Sequence, residues 1–495
     1  MALVSFLGLI LYHIIKYIRT KGKRHLAAIT YSLVLSLTFT GIVMTNASLP
    51  SFSQQVHKKD LTHTFAGRMK LLYELLDHVS PPKAATTYFQ PIKKGKTTFY
   101  FQFSPNQDIL NAYNQGIEVE QKDNQEFFNN VSTGSLTVVF YPNHSLIKKD
   151  SGYFVDSYGY FIPKENRLTI ELSDTNKTSS NYDNQNTIKM SAHEYNHYLL
   201  YQFSREHHIK LSDIPVWLVE GLASYTADRS VGTPLTEERL EGSKLVPFEK
   251  LTNPLNWKSY TSNGHYSPYN QSAIFVSYMM NKNGSDTINK LLLKLQNKSF
   301  NQAFKDTTGL DFSSYEKQYF KDIHQSLTLW KQVHDLYQKK NSYQAISSLN
   351  KIHTLCPQNS LPLLMAAQLY MNEGEYSKAT FLAQKADTLN PRDVEQNEFL
   401  SRLYMYSNPS KALNEIHKIQ LGRPYHRALT RQIELLNSQI NRGRADTGFY
   451  LYLRWDKATH LTNKIDLINY VLSHYPITDE RIVQLKRQYE QQLNL

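Results

Sequence analysis

The feature that most restricts the fold of this 495-residue chain is a spacing. Leu336-Tyr337, Leu369-Tyr370 and Leu403-Tyr404 recur at intervals of 33 and 34. Ala345, Ala379 and Ala412 recur at 34 and 33, and Pro357 and Pro391 stand 34 apart. A fixed period of about 20–50 residues marks stacked supersecondary units that bury their apolar faces only against one another. Gly374-Glu375-Tyr376 falls where a turn between paired helices is needed. The spacing therefore predicts helix pairs from about Gln332. The unit from Ala367 to Pro391 is the best formed, and a third is shortened after Tyr406. Residues 425–495 read as helical with no register assigned.

A second feature bears on chemistry. His193-Glu194-Tyr195-Asn196-His197 has the form H-E-x-x-H. On a helix, residues four apart project from one face, so both imidazoles can reach one Zn²⁺ at about 2.0–2.1 Å. Glu194 then stands beside the metal, where a general base is useful. An isolated H-E-x-x-H arises by chance in about a few per cent of chains this long, so a third ligand must be found. Glu220 meets that need. It is a lone carboxylate in the apolar run Pro215-Val216-Trp217-Leu218-Val219-Glu220-Gly221-Leu222-Ala223-Ser224-Tyr225, 23 residues after His197. A buried unpaired carboxylate is costly, and a dication removes the cost. Gly221 weakens the helix but permits a close approach of helices.

The remaining composition is that of a globular chain, with 41% hydrophobic residues and a net charge of +12. Length alone predicts roughly three domains of about 150 residues. Lys16, Arg19, Lys21, Lys23 and Arg24 supply five of the positive charges. Arg19-Thr20-Lys21-Gly22-Lys23-Arg24 is a basic loop between two apolar stretches, Ala2 to Tyr17 and Leu26 to Met44. The positive-inside rule puts that loop in the cytoplasm and everything after Met44 outside. Either both stretches anchor the chain, or the second is a leader cut near Thr45-Asn46-Ala47. No arginine-rich run or nucleic-acid signature follows, so nucleic acid is not an expected partner. Cys356 is the one cysteine, which excludes internal disulfides and cysteine metal sites and reads as a buried thiol.

Between the apolar start and H-E-x-x-H, Leu61 to Val79 has helical periodicity. Strand-like runs follow at Thr97–Phe103, Leu136–Tyr141, Gly152–Phe161 and Arg167–Leu172. The last of these reads either as an edge strand beside the metal-binding helix, able to pair with an extended peptide, or as an ordinary sheet strand. The helix itself is expected to pack through Ile188, Ala192, Tyr195 and Leu199.

H-E-x-x-H followed by W-L-x-E-G-x-A-x-Y resembles the gluzincin metallopeptidases, in particular the Peptidase MA-like family. The resemblance spans about Arg167 to Leu327 and includes Tyr269-Asn270-Gln271-Ser272-Ala273-Ile274-Phe275. It implies that His193, His197 and Glu220 bind one zinc ion, that Glu194 is the base, and that a downstream Tyr or His stabilises the oxyanion. Tyr269 is the residue assigned to that role, with Tyr278 and His265 as rivals. Asn196 departs from the small or apolar residue more usual at its position, and the gap before Glu220 is a few residues longer than in thermolysin-like enzymes. The periodic region resembles tetratricopeptide repeats.

Together these readings predict an α+β, mostly helical chain. Residues 1–47 are a membrane anchor or signal peptide, 60–328 a thermolysin-like zinc metallopeptidase unit and 330–495 a helical repeat region. The expected activity is zinc-dependent hydrolysis of peptide or protein substrate outside the cell membrane, secreted if the leader is cut, with a possible protein partner on the repeats. The competing expectation is an interaction scaffold whose peptidase-like unit does not turn over. Ser224 and Asp228 follow Glu220 at helical spacing and could orient the ligands or face solvent. His207-His208 and His144 lack ligand spacing.

Overall fold

Five short apolar runs pair into one mixed sheet: β1 (Ile92–Lys94), β2 (Thr97–Phe101), β3 (Leu136–Tyr141), β4 (Gly159–Ile162) and β5 (Arg167–Glu171). Their order is β1-β2-β3-β5-β4. β2, β3 and β5 are parallel, while β1 and β4 add antiparallel at the two edges. The computed structural model describes residues 91–102, 107–123, 125–129, 131–150, 159–171, 184–407, 409–422, 449–450, 453–454, 461–474 and 479–493. The apolar stretches before Thr45 and the helix expected at Leu61 to Val79 lie outside the described residues. Among the described residues, no helix is long and apolar enough to cross a membrane.

Alternation sorts the strand side chains. Phe99, Phe101, Val138, Phe140, Leu168 and Ile170 are fully buried on one face. That face is covered by α1 (Gln107–Asp123), α2 (Gln125–Phe128) and later helices of the same core. The other face carries Val139 and Tyr141 under Ile147 of α3 (His144–Asp150). The sequence reading assigned neither β1 nor α1. Of the two readings open for Arg167–Leu172, the ordinary sheet strand holds: β5 is interior, between β3 and β4, and β4 is the edge. Sheet order is set by long-range pairing and cannot be read from strand sequence.

α4 (Asn184–Glu206) carries H-E-x-x-H and is the central helix. Ile188, Ala192, Tyr195 and Leu199 are buried as the periodicity predicts. α5 (Val216–Ser230) lies against it, fixed by Trp217. The indole packs on Phe248, Phe275 and Phe312 with ring centroids 4.9, 5.2 and 5.7 Å away. Buried aromatic clusters of this kind dominate core energetics. α6 (Pro254–Thr261), α7 (Pro268–Asn283), α8 (Thr287–Lys294) and α9 (Phe300–Thr308) complete this part.

α10 (Phe312–Gln338) runs unbroken past residue 329 and becomes the first member of the helix pairs. Its partner is α11 (Ser342–Leu355). The next pairs are α12 (Leu361–Asn372) with α13 (Tyr376–Leu389), and α14 (Val394–Ser407) with α15 (Pro409–Gly422). Ala345, Ala379 and Ala412 are each fully buried where paired helices cross. Their small size lets the backbones approach. The turns repeat as well: Asn341 N–H bonds to Leu336 O at 2.9 Å, and Glu375 N–H to Tyr370 O at 2.8 Å. Each turn contains a left-handed residue, Lys340 (φ 54°) and Gly374 (φ 75°). The region is therefore a tetratricopeptide-like stack. α16 (Leu461–His474) and α17 (Glu480–Gln492) extend its core through Ile468, Val471, Ile482 and Leu485.

Candidate metal centre

His193 and His197 sit one turn apart on α4, with ring centroids 4.9 Å apart and planes at 85°. Glu220 reaches them from α5. Its Oε2 lies 3.5 Å from His193 Nε2 and 3.9 Å from His197 Nε2. One ligand atom from each residue falls within 4.8 Å of the others, and this is the one group of three or more such side chains found among the described residues. Donors at about 2.0–2.1 Å from a tetrahedral zinc stand roughly 3.4 Å apart. Two imidazoles and one carboxylate are also the ligand types of catalytic zinc sites that keep a fourth position open. The residues present therefore fit a zinc ion.

Glu194 is 7% exposed, and its Oε2 makes no hydrogen bond among the described residues. An orphaned buried carboxylate oxygen needs a reason, and a reacting water is one. Edge strand β4 roofs it. A Cβ at Gly159 would lie 2.8 Å from Glu194 Oε1 and 3.1 Å from Cδ, so a larger residue there would push the carboxylate aside. Burial raises the Glu194 carboxyl to about 7, with His193 opposing the rise and Glu220 adding to it. A general base works best near the ambient pH.

The ligands polarise one another. Burial would lower His193, but the hydrogen bond to Glu220 and the charges of Glu194 and Glu220 raise it overall. Burial lowers His197 to about 4 against the pull of Glu220. Burial would raise Glu220, but the two histidines outweigh it and hold its carboxyl low. His197 is thus held neutral and Glu220 ionised, the states metal binding requires, whereas the raised His193 would give up its proton to a metal.

Tyr269 opens α7, 42% exposed, with its ring 6.3 Å from the His193 ring and edge-on to Trp257 at 5.0 Å. Burial of its hydroxyl end, with Glu220 and Glu194 nearby, raises its pKa, so it remains an O–H donor. Gly221 explains how α7 comes so near. A Cβ there would meet Ser272 Cβ and its carbonyl oxygen at 2.8 Å, so α5 and α7 pack backbone to backbone. The rivals lie elsewhere. Tyr278 donates to Asp322 Oδ2 at 2.7 Å, and His265 is in an exposed loop.

Several supporting residues escaped the sequence reading. Asn196 is fully buried and donates to Glu120 Oε1 at 2.9 Å, so the unusual residue at this position is matched by a buried carboxylate on α1. Gln121 donates to Tyr195 Oη at 2.7 Å. Asp228 does not face the ligands. Its two oxygens lie 2.5 Å from Lys189 on α4 and 2.5 Å from Arg239, which ties the two ligand-bearing helices together. His207 and His208 follow the end of α4, and His144 pairs with Glu171 at 3.2 Å. No periodicity marks these partners, and on the polar α1 neither Glu120 nor Gln121 stands out from its neighbours.

A scan against protein-family profiles finds no match. The chain is similar to the uncharacterized protein YhcO of Bacillus subtilis (strain 168), 22% identical over 222 residues, which covers 44% of this chain and 67% of that protein. Among solved structures, the crystal structure of the P58(IPK) TPR domain aligns at 16% identity with a TM-score of 0.24, covering 61% of this chain and 81% of that one. A score this low defines no common fold, and the repeat architecture rests on the helix pairs themselves.

Proposed function

We propose that this protein is a zinc-dependent endopeptidase of the gluzincin, thermolysin-like type, joined to a helical repeat region and held outside the cell membrane by its apolar N-terminal stretches. The observation that carries the reading is the convergence of His193, His197 and Glu220 donor atoms within 4.8 Å, with the buried Glu194 carboxylate next in sequence. Zinc, when bound by these three side chains, supplies Lewis acidity to water and to the scissile carbonyl. Glu194 accepts a proton from the attacking water as the new C–O bond forms. It returns that proton to the amide nitrogen as the C–N bond breaks. Tyr269 donates its O–H to the carbonyl oxygen as charge builds there.

Glu194→Gln tests the assignment. Zinc content should stay at the wild-type level while cleavage of a mixed peptide pool falls by about 10²–10⁴-fold. Cleavage equal to the wild type removes Glu194 from the chemistry. A second reading, a protein-interaction scaffold, is favoured by the stacked pairs α10 to α15, since such stacks offer extended binding surfaces. Absence of both zinc and cleavage in the wild-type protein would leave that reading standing alone.

A further inference from the structure

Two turns of the helix-pair region, one repeat apart, grip the short segment that follows the Glu220 helix. The turns are equivalent. Cys356 and Asn390 share nearly one backbone conformation (φ −131°, ψ 74° and φ −143°, ψ 74°). Asn359 N–H closes the first turn on Cys356 O at 3.0 Å, and Asp393 N–H closes the second on Asn390 O at 3.2 Å. From the first, Asn359 Nδ2 donates to Glu237 Oε2 at 3.2 Å. Ser326 and Trp330 of α10 donate to the same oxygen at 3.3 and 3.4 Å. Glu237 is 3% exposed, so losing these donors would strand a buried carboxylate.

From the second turn, Asn390 Nδ2 donates to Gly232 O at 2.8 Å and Arg392 Nη1 to Arg229 O at 3.4 Å. Arg229 lies in the last turn of α5, where a cation is favoured, and its carbonyl also accepts Gly232 N–H at 3.2 Å; Gly232 lies two residues beyond the helix. The fit is close. A Cβ at Gly232, already left-handed at φ 71°, would stand 2.1 Å from the Arg392 carbonyl carbon and 2.3 Å from Asp393 N. Within the same stretch, Asp228 bonds Arg239 on one side and Lys189 on the other, four residues before His193. The repeats, the Glu220 helix and the histidine helix thus share one connected set of polar contacts.

We propose that the helix-pair region positions the metal centre: turns 356–359 and 390–393 hold residues 229–239, and through them Glu220, in register with His193 and His197. The inference rests on the metal reading of those three residues. Opening this joint weakens metal binding. By linkage, metal binding must tighten the joint to the same extent.

Cys356 is a built-in reporter. It is the one cysteine of the chain and 4% exposed, and burial near Glu237 raises its thiol pKa. Its rate of reaction with an aromatic disulfide is measured on the full-length protein, with zinc as the added ligand. Saturating zinc should slow labelling at least about fivefold. It should not slow labelling in Glu220→Ala, which controls for zinc held by the thiol. The half-exposed pair Asn390→Ala/Arg392→Ala should label faster, with zinc affinity about tenfold weaker in chelator competition. The visible spectrum of its cobalt form should be altered while the far-UV signal stays unchanged. One equivalent of zinc taken up with no change in labelling overturns the proposal. So does a double variant that labels rapidly yet keeps wild-type affinity. Failure of the wild-type chain to take up zinc at all overturns the underlying metal reading instead.

Discussion

Around His193 the helices meet through glycine and paired charges, whereas between Trp330 and Ile419 they meet through layers of alanine and branched side chains. At the centre, Gly221 presses on Ser272, Asp228 bridges Lys189 and Arg239, and Asn196 donates to Glu120. In the stack, Ala345, Ala379 and Ala412 hold equivalent buried positions under one repeated turn. The first arrangement places a few atoms at defined distances, and each contact is unique. The second multiplies one contact, and its errors add up locally. Substitutions at the centre should therefore change chemistry more than stability, and those in the stack the reverse.

The sharpest way to break this contrast is Tyr269→Phe. Loss of an oxyanion donor should lower kcat about 10²–10³-fold while the melting temperature and zinc content hold. A fall in stability with unchanged kcat would make Tyr269 a packing residue. Ala379→Leu should act oppositely. Overfilling a closed helix crossing should cost about 3 kcal/mol in chemical denaturation, with zinc bound as before. The joint between the regions should respond to pH. Burial raises Asp393 to about 6 from the usual 3.8. A carboxyl raised on folding gives stability that is complete below pH 3.8 and is lost as pH rises through about 6. Asp393→Asn retains an acceptor for Gln396 N–H without the charge. It should match the wild type near pH 4 and exceed it at pH 8 by about 2 kcal/mol in melting experiments. The smallest effect is expected from Lys340→Gly. The equivalent turn already has Gly374, and Lys340 is left-handed at φ 54°. Relief of that strain should add roughly 0.5 kcal/mol to stability.

The two regions also differ in how far sequence exposes them. Periodicity locates helix pairs because every repeat restates the same local rule, and the turn at Gly374 and the buried alanines sit where that rule puts them. His193, His197 and Glu220 are legible as a converging set because two histidines at helical spacing and a lone carboxylate in an apolar run stand out by residue type. What supports them is not. β4 lies outside β5 because of pairings with distant strands, and Glu120 meets Asn196 across 76 positions of chain. α1 is polar enough along its length to hide its role. Asp228 looks like an ordinary helix residue until Lys189 and Arg239 are seen beside it.

The backbone at Gly159 lies directly on the Glu194 carboxylate. A methyl group at 159 would stand 2.8 Å from Glu194 Oε1, so the buried carboxylate would have to shift to admit it. An achiral residue on the rim of the sheet thus fixes where that side chain can sit, while its neighbour Phe161 anchors the same strand on Tyr198 and Tyr201.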